Sequence, residues 1–129
     1  MNAEHLRKLK HELRTPVNHI VGYSELLFES ADEASDVEVS VLAKSLQASG
    51  QLLARLLERT LLSPGNEIDE EQISALRDSL RPVIERIVKD SSSLVASGTA
   101  EYETDLARIR HAANQLMALM GEMKIASAE

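Results

Sequence analysis

One histidine of the sequence, His11, has neighbours suited to phosphoryl chemistry. The apolar residues around it recur at helical spacing, which places His11 on the helix face farthest from the core. Glu12 is adjacent, Lys8 lies one turn before and Thr15 one turn after. A neutral imidazole nitrogen is a nucleophile near pH 7, a carboxylate on the other ring nitrogen raises its basicity, and cations attract a phosphoryl group. These residues therefore predict an exposed histidine that can accept a phosphoryl group.

The charge of this segment differs from that of the whole chain. The 129 residues carry a formal net charge of −7, from 14 basic and 21 acidic residues, which argues against nucleic-acid binding. Between Glu4 and His19, however, basic residues outnumber acidic ones. The basic residues are Arg7, Lys8, Lys10 and Arg14. This local positive charge predicts that Lys8 and Arg14 meet a phosphoryl group or an acidic partner.

The composition favours helices as the elements that position this segment. Only 2% of the residues are aromatic and 43% are hydrophobic, so the core must consist mainly of aliphatic side chains. The absence of cysteine excludes disulfides, thiol chemistry and cysteine-based metal sites. Polar breaks at 30–36, 63–66 and 96–99 separate four long segments. At the start of the third segment, Asp69 is the expected N-cap residue, and Gln72 completes a capping box.

The apolar spacing of the segments repeats. The first segment has apolar positions in steps of three and four residues: Leu6, Leu9, Leu13, Pro16, Ile20, Tyr23 and Leu27. The third segment repeats them 67 residues later, and the second and fourth segments match at a displacement of 64. Because a lone hairpin cannot bury both of its apolar stripes, we expect hairpins at 4–62 and 67–124 to form one domain over 1–129. The predicted fold is all-α, an antiparallel four-helix bundle made of two tandem helical hairpins.

Chance periodicity also aligns amphipathic helices, but polar matches favour duplication. The matched pairs, which a core stripe does not require, are Arg14 with Arg81, Gln51 with Gln115 and Glu58 with Glu122. At the displacement of 67, His11 corresponds to Asp78, so only one half carries the candidate nucleophile. Because a helical Asp78 has no other carboxylates beside it to hold a metal ion, we expect it to be inert.

The sequence from His11 to Pro16, His-Glu-Leu-Arg-Thr-Pro, followed by Val-Asn-His-Ile-Val-Gly-Tyr, resembles the H-box of sensor histidine kinases. This motif belongs to their dimerisation and histidine phosphotransfer domain, and the resemblance covers about residues 4–62. It implies that His11 is the phosphoacceptor, that Glu12 is the general base, and that Thr15 positions water when a phosphorylated partner is dephosphorylated. We expect Pro16 to bend the first helix, because it removes one helical N–H and crowds the preceding turn.

The resemblance implies two-component signal transduction. His11 would exchange a phosphoryl group with a response-regulator receiver aspartate, or accept one from the ATP-binding domain of a partner histidine kinase. The chain is too short to contain an ATP-binding module, so we expect no cofactor in it, and Mg and ATP only through a partner or a missing domain. Residues 124–129 are expected to form a linker. Family members build the bundle from two chains, whereas one chain supplies both hairpins here, which predicts a monomeric pseudo-dimer.

Two other interpretations stay open. The first is a non-phosphorylated pseudo-dimer that docks and regulates a receiver or a histidine kinase, and the second is a purely structural dimerisation module. We expect no metal site at the remaining histidines, which are His5, His19 and His111, and core positions for Met117, Met120 and Met123. The lack of a long apolar run and of a signal-peptide pattern predicts a cytoplasmic protein with no membrane partner.

Overall fold

The computed structural model describes residues 3–61, 70–93 and 102–128, which form four α-helices and no strand. The helices are α1 (Ala3–Glu33), α2 (Val37–Leu61), α3 (Glu70–Ser93) and α4 (Glu103–Ala128). α1 packs against α2 and α4, and α3 packs against the same two helices. Successive helices run in opposite directions, so the predicted antiparallel four-helix bundle is confirmed.

The core consists of aliphatic side chains from all four helices. Among the largest fully buried residues are Leu13 of α1, Leu46 of α2, Leu80 of α3 and Leu106 of α4. The apolar stripe predicted for α1 is buried, apart from a half-buried Tyr23, wherever its side chains are described. One core therefore joins the two hairpins.

The pattern of buried residues tests the sequence displacements at which the two hairpins were predicted to correspond. At the displacement of 67, buried positions of α1 correspond to buried positions of α3: Leu9 with Leu76, Leu13 with Leu80, Val17 with Ile84, Ile20 with Ile87, and Ser24 with Ser91. The displacement of 64 for α2 and α4 is wrong, because it pairs the exposed Leu52 with the buried Leu116. Burial in these helices agrees at 63: Val39 with Tyr102, Ala43 with Leu106, Leu46 with Ile109, Ser49 with Ala112, Leu53 with Leu116, and Leu57 with Met120. Because each residue turns a helix by about 100°, a displacement of 64 aligns one face of α2 with a different face of α4. Duplication itself stays a prediction.

α1 extends into the predicted break at 30–36 and ends inside it, at Glu33. The helix continues to Glu33 because Ala31 is fully buried in the core. Ser35 then has a φ of 55°, and the amide of Asp36 donates to the carbonyl oxygen of Ala31 at 2.8 Å, a pattern that ends helices. The Asp36 carboxylate accepts a hydrogen bond from the amide three residues later and so caps α2.

The other predicted boundaries have different outcomes. The breaks at 63–66 and 96–99 and the proposed cap Asp69 lie outside the described residues. The linker predicted at 124–129 is wrong as far as residue 128, because α4 continues to Ala128. That segment contains no glycine or proline to stop a helix.

α1 and α2 approach each other closely at Gly50. A Cβ added there would lie 2.9 Å from Cγ2 of Val21 and 3.0 Å from Cγ2 of Ile20. We expect Gly50→Ala to lower the free energy of unfolding by about 1–3 kcal/mol, because both neighbours are β-branched and rotate away with difficulty. Gly22→Ala is the matched control: its Cβ would meet nothing within 4 Å, so it should raise that free energy by about 0.5–1 kcal/mol. Urea denaturation measures both, and a stabilised Gly50→Ala would contradict the close approach.

Candidate functional site

His11 is exposed on α1, as the spacing predicted. Leu13 and Pro16 lie on the buried side of the same turns and hold the helix so that the imidazole points outward. The Thr15 hydroxyl donates a hydrogen bond to the carbonyl oxygen of His11 at 3.3 Å. α1 continues as a helix through Pro16, although the proline provides no N–H for the carbonyl of Glu12. The bend expected at Pro16 stays a prediction.

The carboxylate of Glu12 lies near a lysine rather than the imidazole. Oε1 of Glu12 is 3.9 Å from Nζ of Lys8, and no hydrogen bond joins Glu12 to the His11 ring in the described part of the chain. The reason is helical geometry, since residues four apart share a face and adjacent residues do not. The side chains of Lys8 and Glu12 are 75% and 36% exposed, so their ion pair contributes at most about 1 kcal/mol. The carboxylate can therefore leave Lys8 at small cost.

A groove of about 420 Å³ adjoins His11 between α1 and α4. Its lining residues are His11, Glu12, Thr15 and Pro16 from α1, and Gln115, Ala118 and Leu119 from α4. The sequence singled out the four residues of α1 but none of α4 as site residues. No motif surrounds the α4 residues, and only the packing of the second hairpin on the first brings them to His11. The groove thus joins the predicted site to the hairpin that lacks the candidate nucleophile.

Tyr23 helps to set how α1 and α4 lie against each other. The guanidinium carbon of Arg108 on α4 is 5.1 Å from the Tyr23 ring centroid, a cation–π distance. The ring of His19 packs on the same tyrosine, with centroids 5.9 Å apart. Gln115 follows Arg108 by seven residues, two turns along the same face of α4, and Thr15 precedes Tyr23 by eight. In antiparallel helices these separations bring Gln115 beside Thr15, in agreement with the groove lining.

Lys8 and Arg14 are exposed on α1 but do not line the groove. The contacts predicted for them with a phosphoryl group or an acidic partner therefore stay predictions. Their position on the same short segment keeps positive charge close to His11, where it can attract an incoming anion.

The other histidines, Asp78, Met117 and Met120 lie outside the groove. His5, His111 and Asp78 are exposed, and no group of three or more His, Asp or Glu able to hold a metal ion occurs within the described ranges. Met120 is buried and Met117 is half-buried against the core, as predicted, while the side chain of Met123 lies outside the described part.

Comparison with models of protein families shows to which family the first hairpin belongs. The sequence model of the His Kinase A (phospho-acceptor) domain, HisKA, matches residues 1–65 of the 129. The chain belongs to the HisKA family. A HisKA domain acts in two-component signal transduction through a histidine phosphoacceptor, and works with receiver and kinase ATPase partners.

The HisKA match covers α1 and α2 and ends before α3. A search of curated proteins and a search of solved structures found no match to the chain. None of the described helices is both long and apolar enough to span a membrane.

Proposed function

We propose that His11 is the phosphoacceptor of this HisKA domain. In this proposal it exchanges a phosphoryl group with a receiver aspartate or accepts one from the ATP-binding domain of a partner kinase. The supporting observation is the groove: His5 and His19 are also exposed within the HisKA match, but only His11 of the three lines it, together with Glu12 and Thr15. In this proposal ATP and Mg²⁺ enter only through a partner or through a domain outside residues 1–129, and the setting of the exchange is the cytoplasm.

The proposed transfer is a nucleophilic displacement at phosphorus. One ring nitrogen of His11 forms the N–P bond, the P–O bond to the receiver aspartate breaks, and the aspartate carboxylate leaves with the electron pair. The phosphorylated ring becomes positively charged, and Glu12 accepts the proton from its other nitrogen. The reverse reaction returns the phosphoryl group to the receiver. Positive charge on Lys8 and Arg14 attracts the phosphoryl oxygens throughout.

Thr15 has the second proposed role, the positioning of water. Its hydroxyl donates to the His11 carbonyl oxygen, with 3.3 Å between the two oxygen atoms, which leaves the hydroxyl lone pairs to accept a hydrogen bond. A water molecule that donates to this oxygen would lie beside the groove, where a docked phosphorylated receiver would present its phosphorus atom.

Transfer from a receiver tests the proposed function. The purified chain is incubated with a phosphorylated receiver domain, and its intact mass is measured at neutral pH. We expect a mass gain of one phosphoryl group that disappears in acid, since an N–P bond is acid-labile. Stable binding of the receiver with no phosphoryl transfer in either direction would instead favour the docking module that is not phosphorylated.

We also propose that the chain is a monomeric pseudo-dimer, because each hairpin already packs against the other within one chain. Light scattering should give a mass of 14.2 kDa that does not change on dilution. A mass of twice that value at all concentrations would contradict the intramolecular bundle and would mean that hairpins pair between chains.

A further inference from the structure

We infer that Gln115 of α4 takes part in phosphoryl transfer at His11, by donating a hydrogen bond from its side-chain amide to a phosphoryl oxygen. The inference rests on the proposed function of His11. It gives the second hairpin a chemical role, although that hairpin has Asp78 where the first has His11.

The position of Gln115 is supported by two observations. It lines the groove of about 420 Å³ together with His11, Glu12 and Thr15. The contact of Arg108 with Tyr23 at 5.1 Å agrees with this position, because Gln115 lies two turns further along the same face of α4, beside Thr15. A group held on His11 at the edge of this groove would therefore lie within reach of the Gln115 side chain.

The lining residues differ in their ability to hold a phosphoryl group. Glu12 offers only acceptor oxygens, Ala118 and Leu119 have no polar side-chain atoms, and the Thr15 hydroxyl already donates to a carbonyl oxygen. The amide of Gln115 has two N–H donors and is exposed. Of the seven lining residues, Gln115 is the one outside the H-box that can donate to a phosphoryl oxygen.

The matching position of the first hairpin shows that the fold does not require glutamine there. At the displacement of 63 fixed by burial, Gln115 corresponds to Leu52 of α2, which is 39% exposed. Both positions lie outside the core, so either residue type is compatible with the bundle. The second hairpin thus supplies an amide beside His11, whereas the matching residue of the first hairpin is apolar.

The hydrogen bond acts while the phosphoryl group moves between two atoms. The P–O bond to the receiver aspartate breaks, the N–P bond to His11 forms, and negative charge stays on the three remaining phosphoryl oxygens. A donor aimed at one of them stabilises this charge. No atom of Gln115 is transferred, and its amide stays neutral.

The test compares Gln115→Leu and Gln115→Glu with Gln51→Leu and Gln51→Glu. Gln51 is an exposed glutamine on α2 outside the groove and provides the same two substitutions as controls. The rate of phosphoryl transfer from a phosphorylated receiver is measured at saturating receiver. We expect Gln115→Leu to slow it about tenfold, the effect of losing one hydrogen bond to a charged group. Gln115→Glu should slow it further, because a carboxylate repels the phosphoryl oxygens, and both Gln51 variants should match the wild type.

The outcomes separate this inference from the proposed function. All four substitutions place good helix formers at exposed positions, so their unfolding midpoints should stay equal to that of the wild type. Wild-type rates in both Gln115 variants, or a change only in the receiver concentration that gives half-maximal rate, would overturn the inference and leave His11 as phosphoacceptor. A wild-type chain that accepts no phosphoryl group would overturn both.

Discussion

Replacement of His11 by glutamine is expected to abolish the formation of acid-labile phosphate on the chain. Glutamine is similar in size and polarity, but its amide nitrogen is not a nucleophile and cannot form the N–P bond. His11 is exposed, so the free energy of unfolding should change by no more than about 0.5 kcal/mol. Intact mass after incubation with a phosphorylated receiver gives the phosphorylated fraction directly.

His19→Gln is the matched control for this experiment. His19 is also exposed on α1, two turns beyond His11, but it packs on Tyr23 and does not line the groove. The His19 variant should therefore be phosphorylated as fully as the wild type. Equal phosphorylation of the wild type and His11→Gln would show that another residue accepts the group.

Truncation of Leu13 or Leu80 to alanine should destabilise both hairpins together. Leu13 on α1 and Leu80 on α3 are 0% and 1% exposed and lie at matching positions of the two hairpins. Each truncation leaves a cavity in the core and should lower the free energy of unfolding by about 2–5 kcal/mol. This is a large part of the roughly 5–15 kcal/mol that stabilises a typical domain. Because the core is shared, each variant should unfold in one transition at lower denaturant.

Leu26→Ala is the control, because Leu26 is 47% exposed on α1 and leaves no enclosed cavity. It should lower the free energy of unfolding by clearly less than either core truncation. Urea denaturation followed by circular dichroism measures the three variants, and hydrogen exchange resolves the hairpins. Loss of amide protection in α1 and α2 alone on truncation of Leu13 would contradict a shared core.

The sequence carried enough information for the bundle and for the first half of the site. Steps of three and four residues predicted that Leu13 and Ile20 would be buried, and the same periodicity predicted an exposed His11. These predictions succeed because a helix face is a local property, determined by residues within a few turns. The confirmed HisKA family depended likewise on a contiguous motif.

The features that the sequence did not predict depend on contacts between helices. Gln115 reaches the His11 groove only because α4 packs antiparallel on α1, and no local pattern encodes that neighbour. The predicted sequence displacement between α2 and α4 was wrong by one residue. Identical residues had been matched without regard to which helix face is buried, as at Leu52. Similarly, the burial of Ala31 extends α1 into a stretch whose composition indicated a turn.

The most direct test of His11 as the phosphoacceptor is to locate the phosphoryl group on the chain. After transfer from a phosphorylated receiver, the chain is fragmented in a mass spectrometer under conditions that preserve the N–P bond. The phosphoryl group is predicted on His11 and on no other residue. Its appearance on His5, His19, His111 or Asp78, or no phosphorylation at all, would contradict the assignment.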